Sequence, residues 1–179
     1  LTMPAIASVR HSAIRISCIS RIRQVGVAFQ NYSTDFSGFL PHEDDGSTVP
    51  PFGCGWFDAI NDYVDNNNRV KQCPMQDRDQ RFKTFKMNSL LDNEGRPPFY
   101  RIGTSRNESR LVLLFDGRVD NHVVKYQPKG TTATVSSRHR SGDAGGANFL
   151  FMDGHSGWYR EWFIHQDWFR DGELEWTPE

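Results

Sequence analysis

Ile14, Cys18, Ile22, Val25, Phe29, Tyr32 and Phe36 recur at steps of four and three residues. That spacing keeps one stripe of a 3.6-residue helix apolar and predicts a helix over residues 5–36. No other feature restricts the fold as strongly. A helix of some 30 residues is about 45 Å long at ~1.5 Å per residue, more than a domain of this size can cover. One end must therefore project, and the polar, small-residue N-terminal end is the better candidate. Arg10, Arg15, Arg21 and Arg23 fall mainly off the stripe, Gly38 supplies a stop, and Pro41 follows it.

The remainder of the chain must cover that stripe. The 179 residues suit one domain, with 1–38 as the helix and 39–179 as the globular part built onto it. Only 37% of residues are hydrophobic, but 13 Phe, 5 Trp and 5 Tyr can fill a core with few side chains. A net charge of −1 gives no reason to expect a nucleic-acid partner. No apolar run reaches the roughly 18 residues that span a bilayer. Cysteines stand at 18, 54 and 73. They form no CxxC pair and have no histidine at finger spacing, so a structural zinc site is not expected.

Residues 41–55 read as loop. The acidic cluster Glu43, Asp44 and Asp45 is a solvated surface by default, and its spacing does not match an EF-hand calcium loop. Residues 56–65 suit a short helix with Trp56, Phe57, Ile60 and Val64 inward. The segment 70–74 is expected to be extended, because the residue before Pro74 avoids the helical region. The rest reads as β. Residues 82–88 alternate, and 110–116 form a continuous apolar run suited to a central strand covered on both faces. Residues 122–126 are placed as its hairpin partner, and 131–137 as a further β-branched strand. The tail is rich in Trp and acids and suits a docked helix or an edge strand. The fold class is α+β, a long N-terminal helix packed on an antiparallel sheet.

Asp153-Gly154 lies between two β-prone runs, in the sequence "GGANFLFMDGHSGWYR". Asp-Gly favours a two-residue type I′ turn. Closing it pairs Met152 with His155 and Phe149 with Trp158, an aromatic cross-strand pair. A zinc hydrolase could draw ligands from His139, Asp153 and His155, but no HExxH-like helical pair supports it. A Ser-His-Asp triad lacks a GxSxG elbow. The stretch reads as a hairpin turn and the protein as a non-enzyme, with no cofactor. Calcium, through Asp116, Asp120 or the 43–45 cluster, is kept as an alternative.

The order "CISRIRQVGVAFQNYSTDFSGFLP", "QCP", "TFKMN" and "RH…GGANFLFMDGHSGW" resembles prepilin-type, pseudopilin-like proteins with a C-terminal H-x9-DG domain, over roughly residues 1–160. The matching positions are Cys18, Cys73, Pro74, His139, Gly146, Asn148, Asp153, Gly154, His155 and Trp158. Thirteen residues separate His139 from Asp153, where the family name implies nine. The resemblance implies a pilin-like fold. It also implies a precursor whose leader and apolar helix precede Leu1, and a globular domain held at the inner membrane in the periplasm or outside. Its partners would be other pilin or pseudopilin subunits and the machinery of type II secretion or a type IV pilus-like system. Cys18 and Cys73 stand where that family tends to have cysteines and Cys54 is extra, with all three disulfide pairings open. The alternative is a membrane-anchored extracytoplasmic binding domain that takes polysaccharide on Trp162, Trp168 and Trp176.

Overall fold

The computed structural model describes residues 3–42, 55–75, 84–91, 100–117, 125–126, 135–141, 144–160 and 174–176. Helix α1 runs Met3–Asp35, 33 residues or about 50 Å. Of the stripe, Cys18, Ile22, Val25 and Phe29 are fully enclosed and Tyr32 nearly so, with Ala28 and Ser33 buried beside them, while Ile14 and Phe36 at its two ends are half-buried. None of residues 8–17 is buried, so the N-terminal end projects as the length argument requires. The helix stops as Ser37 takes a left-handed φ of 59° and the Gly38 N–H reaches back to the Ser33 carbonyl at 2.6 Å. This is the 6→1 bond of a Schellman closure, with Ser37 rather than Gly38 at the first left-handed position.

Helix α2 covers Trp56–Ala59, and a 3-10 turn follows at Asp62–Val64. Trp56, Phe57 and Ile60 are buried as expected, and Val64 packs against the same core. Residues 70–74 are not extended. Turns occupy 68–71, with Val70 N–H bonded to the Asn67 carbonyl at 3.0 Å. Pro74 restricts only Cys73, and Arg21 gathers the carbonyls of Arg69 and Gln72 at 2.9 and 3.0 Å, folding the segment onto α1.

The sheet has six strands: β1 Phe85–Asn88, β2 Val112–Asp116, β3 Lys125–Tyr126, β4 His139–Ser141, β5 Ala144–Phe151 and β6 Ser156–Arg160. β1, β2, β5 and β6 are neighbours in that order and antiparallel. β2 is the central strand the apolar run suggested, buried at every position. Its partners are β1 and β5; of the expected partner 122–126 only 125 and 126 are described, and as β3 they pair with β1, in parallel. From 131–137, Val135 bridges Gly117. A bulge between Val112 and Leu114 turns both Leu113 and Leu114 toward α1, where they join Phe85, Met87 and Leu150. Val112, Phe115, Phe149 and Phe151 form the second core on the far face.

Trp176 closes that second core. It is fully buried, edge-on to Phe115 at 5.2 Å. Of the tail only 174–176 are described: Glu175 bridges Leu111 in parallel, and Arg110 and Glu175 form a 2.9 Å ion pair.

The β5–β6 hairpin differs from the expected register by one residue. Phe149 faces Gly157, and Asn148 faces Trp158. Gly154 alone takes the left-handed φ, 87°, while Asp153 stays out of that region. The Gly154 N–H closes a turn onto the Phe151 carbonyl at 3.0 Å, and Phe151 N–H meets the His155 carbonyl at 2.9 Å. The loop is thus Met152-Asp153-Gly154, the three-residue type with a left-handed third residue. Asp153 Oδ1 favours it by accepting the His155 N–H at 3.0 Å. A one-residue slip exchanges faces. Phe149 therefore packs with Phe115 and Tyr159 on the far face, and Trp158 lies under α1, 5.5 Å from the Arg15 guanidinium.

Candidate functional site

β5 has two edges. Phe149 pairs with Phe115 of β2 and with Gly157 of β6, and Gly146 pairs with His139 of β4 and with Arg160 of β6. β2 and β4 therefore share one edge of β5, end to end, and the lane between them is broken opposite Ala147 and Asn148. Asp116, the last residue of β2, fills the break. Its Oδ2 accepts the Asn148 N–H at 2.8 Å, in place of the backbone carbonyl a continuous strand would supply. His139, the first residue of β4, comes from the other side of the gap.

Four side chains meet there. Cys18 Sγ donates to Asp116 Oδ1 at 3.5 Å. His139 Nε2 lies 3.2 Å from Asp116 Oδ2 and 3.2 Å from Cys73 Sγ. The donor atoms of all four lie within 4.8 Å of one another, and all four residues are buried. Each reaches the point by a different route: Cys18 from the stripe of α1, Cys73 from the loop pinned by Arg21, Asp116 from β2 and His139 from β4. Cys73 is fixed further by its N–H, which donates to Thr84 Oγ1 at 2.5 Å.

The electrostatics follow from that enclosure. Burial, reinforced by donation to the Cys73 sulfur and by the charge of Asp116, pushes the Cys18 thiol far up. Burial alone would raise Cys73 too, but hydrogen bonds from Cys18 and His139 outweigh it and bring that thiol down to about 6. Burial also works against a charged His139, yet Asp116 first and Cys73 second raise it to about 9. Burial opposes the Asp116 carboxylate as well. Its bond with His139, the nearby charge of Arg138 and the Asn148 N–H nevertheless hold it below the ordinary carboxylate range. Asn148 Nδ2 and Oδ1 and His139 Nδ1 are buried without a hydrogen-bond partner among the described residues.

The ten positions singled out in the sequence divide between this cluster and its frame. Cys18, Cys73 and His139 are in it. Asn148 supplies the N–H that fixes Asp116, and Pro74 follows Cys73 into a turn. Trp158 Nε1 donates to the His139 carbonyl at 3.4 Å. Gly146 makes room for that indole: a Cβ there would lie 2.5 Å from ring atoms of Trp158 and 2.3 Å from the Tyr159 carbonyl oxygen. Asp153, Gly154 and His155 form the hairpin turn. Asp153 and His155 are exposed and pair with each other, at 2.6 Å. The suggested ligand set of His139 with Asp153 and His155 does not assemble. Gly146, opposite His139, is five residues along β5 from Phe151, opposite His155, or about 17 Å at ~3.3–3.4 Å per residue.

Asp116 was offered by the sequence only as a calcium ligand. It faces two sulfurs and an imidazole rather than the oxygen shell calcium takes. Its signal was a carboxylate ending a fully apolar strand, a placement that demands a partner. Asp120, the 43–45 cluster, Cys54, Trp162 and Trp168 lie outside the described residues. Chemically, the cluster can hold an ion or exchange two sulfurs for a disulfide, but Cys18 and Cys73 at 0% and 2% exposure give no access to a substrate. No protein-family model, curated protein or solved structure matches the chain.

Proposed function

We propose that this protein is a pilin-like structural subunit that assembles through α1, as a pseudopilin does in a type II secretion or type IV pilus-like system, and that it is not an enzyme. One observation carries the proposal. Val9, Ile16 and Val27 are 70%, 64% and 56% exposed, on the same helix whose other face is sealed against the sheet. They are seven and eleven residues apart, which at ~100° per residue places them within about 20° of one line. Cys18 is nine residues from both Val9 and Val27, hence about 180° around from them. Opposite its buried stripe the helix thus carries a second line with three exposed apolar side chains, interrupted by Ser20 and Arg23. Val27 also borders a groove of about 330 Å³ lined by Gln24, Tyr63, Val64 and Val70.

A partner helix laid along the second line would bury these side chains at roughly 25 cal/mol per Å². Where such a contact is heterologous and its rotation does not close, repetition grows an open filament. In this proposal the globular domain faces the periplasm or exterior, the precursor is held at the inner membrane by an apolar helix, and the partners are like subunits and secretion machinery. No helix among the described residues is long and apolar enough to cross a membrane.

The test is a photo-crosslinking residue placed at Ile16 or Val27 in the native host, with Thr34 as a position nearer the closed end of α1. A ladder of multiples of this chain from Ile16 and Val27 supports assembly. Crosslinks absent at both, with the protein expressed and folded, would sink it.

A further inference from the structure

We propose that Cys18, Cys73, Asp116 and His139 form a structural binding site for a tetrahedral, thiophilic divalent metal, zinc by its donor chemistry. The inference stands on the cluster itself and does not depend on the assembly proposal.

Two thiolates, one imidazole and one carboxylate are a donor set that zinc takes and that calcium or magnesium do not. The spacing agrees. With bonds of about 2.0–2.3 Å, a tetrahedron around zinc has edges of roughly 3.3–3.8 Å. Cys73 Sγ to His139 Nε2 and His139 Nε2 to Asp116 Oδ2 are 3.2 Å each, the 3.5 Å contact of Cys18 Sγ is to the other carboxylate oxygen, Oδ1, and the four ligand atoms all lie within 4.8 Å of one another. The donors are already gathered near the distances a shared ion sets, and shifts of up to about 1 Å close the longest of the remaining edges.

Burial points the same way. Four polar or ionisable side chains converge from four separate elements at one buried point. Isolated buried charges cost several kcal/mol each unless something holds them together. A divalent ion offsets three negative donors, and Arg138 supplies a further positive charge beside Asp116. All four positions of the tetrahedron are filled by protein and none of the four side chains reaches solvent, so the site has no open position for a substrate. It is a staple, joining α1, the loop after α2, β2 and β4 where the sheet lane is broken. Coordination involves no electron transfer: S–H bonds give way to S–metal bonds and the protons leave to solvent.

A Cys18–Cys73 disulfide is the competing use of the same sulfurs. It would leave Asp116 and His139 buried beside a neutral bridge, paired only with each other and with the Asn148 N–H. The metal accounts for all four residues at once.

The experiment uses the whole chain, purified under mild reduction without chelator. Elemental analysis should find stoichiometric zinc. Exchange for cobalt(II) should give thiolate-to-cobalt charge transfer in the near ultraviolet and intense tetrahedral bands in the visible. Chelation should lower Tm by roughly 10 °C or more. Cys73→Ser and His139→Ala should each abolish the charge-transfer intensity or shift the cobalt bands. If those variants fail to fold, the cobalt spectrum of the unaltered chain decides. Folded protein that holds only trace metal and gives no cobalt charge transfer overturns the proposal. So does folded protein in which mass spectrometry finds the Cys18–Cys73 disulfide and no metal.

Discussion

Gly26 sits in the middle of α1, where glycine costs about 0.8–1.0 kcal/mol relative to alanine. A Cβ built on it would lie 2.9 Å from Cδ1 of Leu150, a fully buried side chain of β5. Two effects therefore oppose each other in Gly26→Ala. The helix gains about 1 kcal/mol, and forcing a methyl into a packed core loses about 1–3 kcal/mol. The net expectation is a loss of about 0–2 kcal/mol. Removing the obstacle reverses the sign. Leu150→Ala alone should cost about 2–5 kcal/mol through lost burial and a cavity. In that background Gly26→Ala keeps its helical gain, meets no clash and fills part of the hole, so it should stabilise by about 1 kcal/mol. The coupling between the two sites is then about 1–3 kcal/mol. Urea unfolding of the four proteins at 25 °C measures it, provided the m-values agree. An equal cost of Gly26→Ala in both backgrounds would refute the claim that Leu150 is what reserves this position for glycine.

Three further outcomes follow from the geometry. Gly154→Ala should lose about 1–2 kcal/mol because its φ of 87° is left-handed, with Gly154→Asn losing less; thermal unfolding ranks the two. Trp176→Ala should cost about 3–5 kcal/mol and release the tail from the second core, seen as a lower Tm and faster proteolysis near the C-terminus. Tyr63 donates to Asp35 Oδ2 at 2.7 Å, and that bond, with burial secondary, raises its phenol to about 12. The bond's contribution is thus fully present below about pH 10 and is lost as pH rises through 12, so ultraviolet titration should show one tyrosine moving to lower pH in Asp35→Asn.

Periodicity reported what depends on one element. The stripe from Ile14 to Phe36 named the buried face of α1, and the apolar run 110–116 named the central strand. It failed where the outcome depended on a comparison between local alternatives. Asp-Gly fits both a two-residue and a three-residue loop, and the hydrogen bond from His155 N–H to Asp153 Oδ1 favours the second, moving Trp158 from the far face to the helix face. It failed again for β3, because strand partners depend on the path of the intervening chain and not on the strands themselves. The cluster was half legible. Cys18, Cys73 and His139 stood out individually, yet no spacing rule links residues 18, 73, 116 and 139, since each comes from a different element. Only the break in the β5 edge, a property of the folded sheet, shows why a carboxylate belongs at 116.

The two proposals bear on each other at one residue. From residue 8 onward Cys18 is the first fully buried side chain of α1; the ten residues before it, 8–17, are all exposed or half-exposed. If subunits assemble through the free part of the helix, every load between subunit and domain enters the core at Cys18. The apolar packing below it, of Ile22, Val25 and Phe29, is non-directional and resists sliding only through the fit of its side chains. A directional bond at the point of entry resists it far better. Arg21, one turn further on, adds two hydrogen bonds to the loop that carries Cys73, and Arg23 adds one at 2.7 Å to Ser156 of β6. These tether the helix to both flanks of the cluster. A metal there would fasten the helix where its exposed part ends, so that removing it should loosen the grip on α1 before it disturbs the second core around Phe149. Hydrogen exchange of the chelated protein should accordingly rise first in residues 14–25, ahead of 149–151. Simultaneous loss of protection in both segments would mean that the cluster supports the whole sheet rather than the seat of the helix.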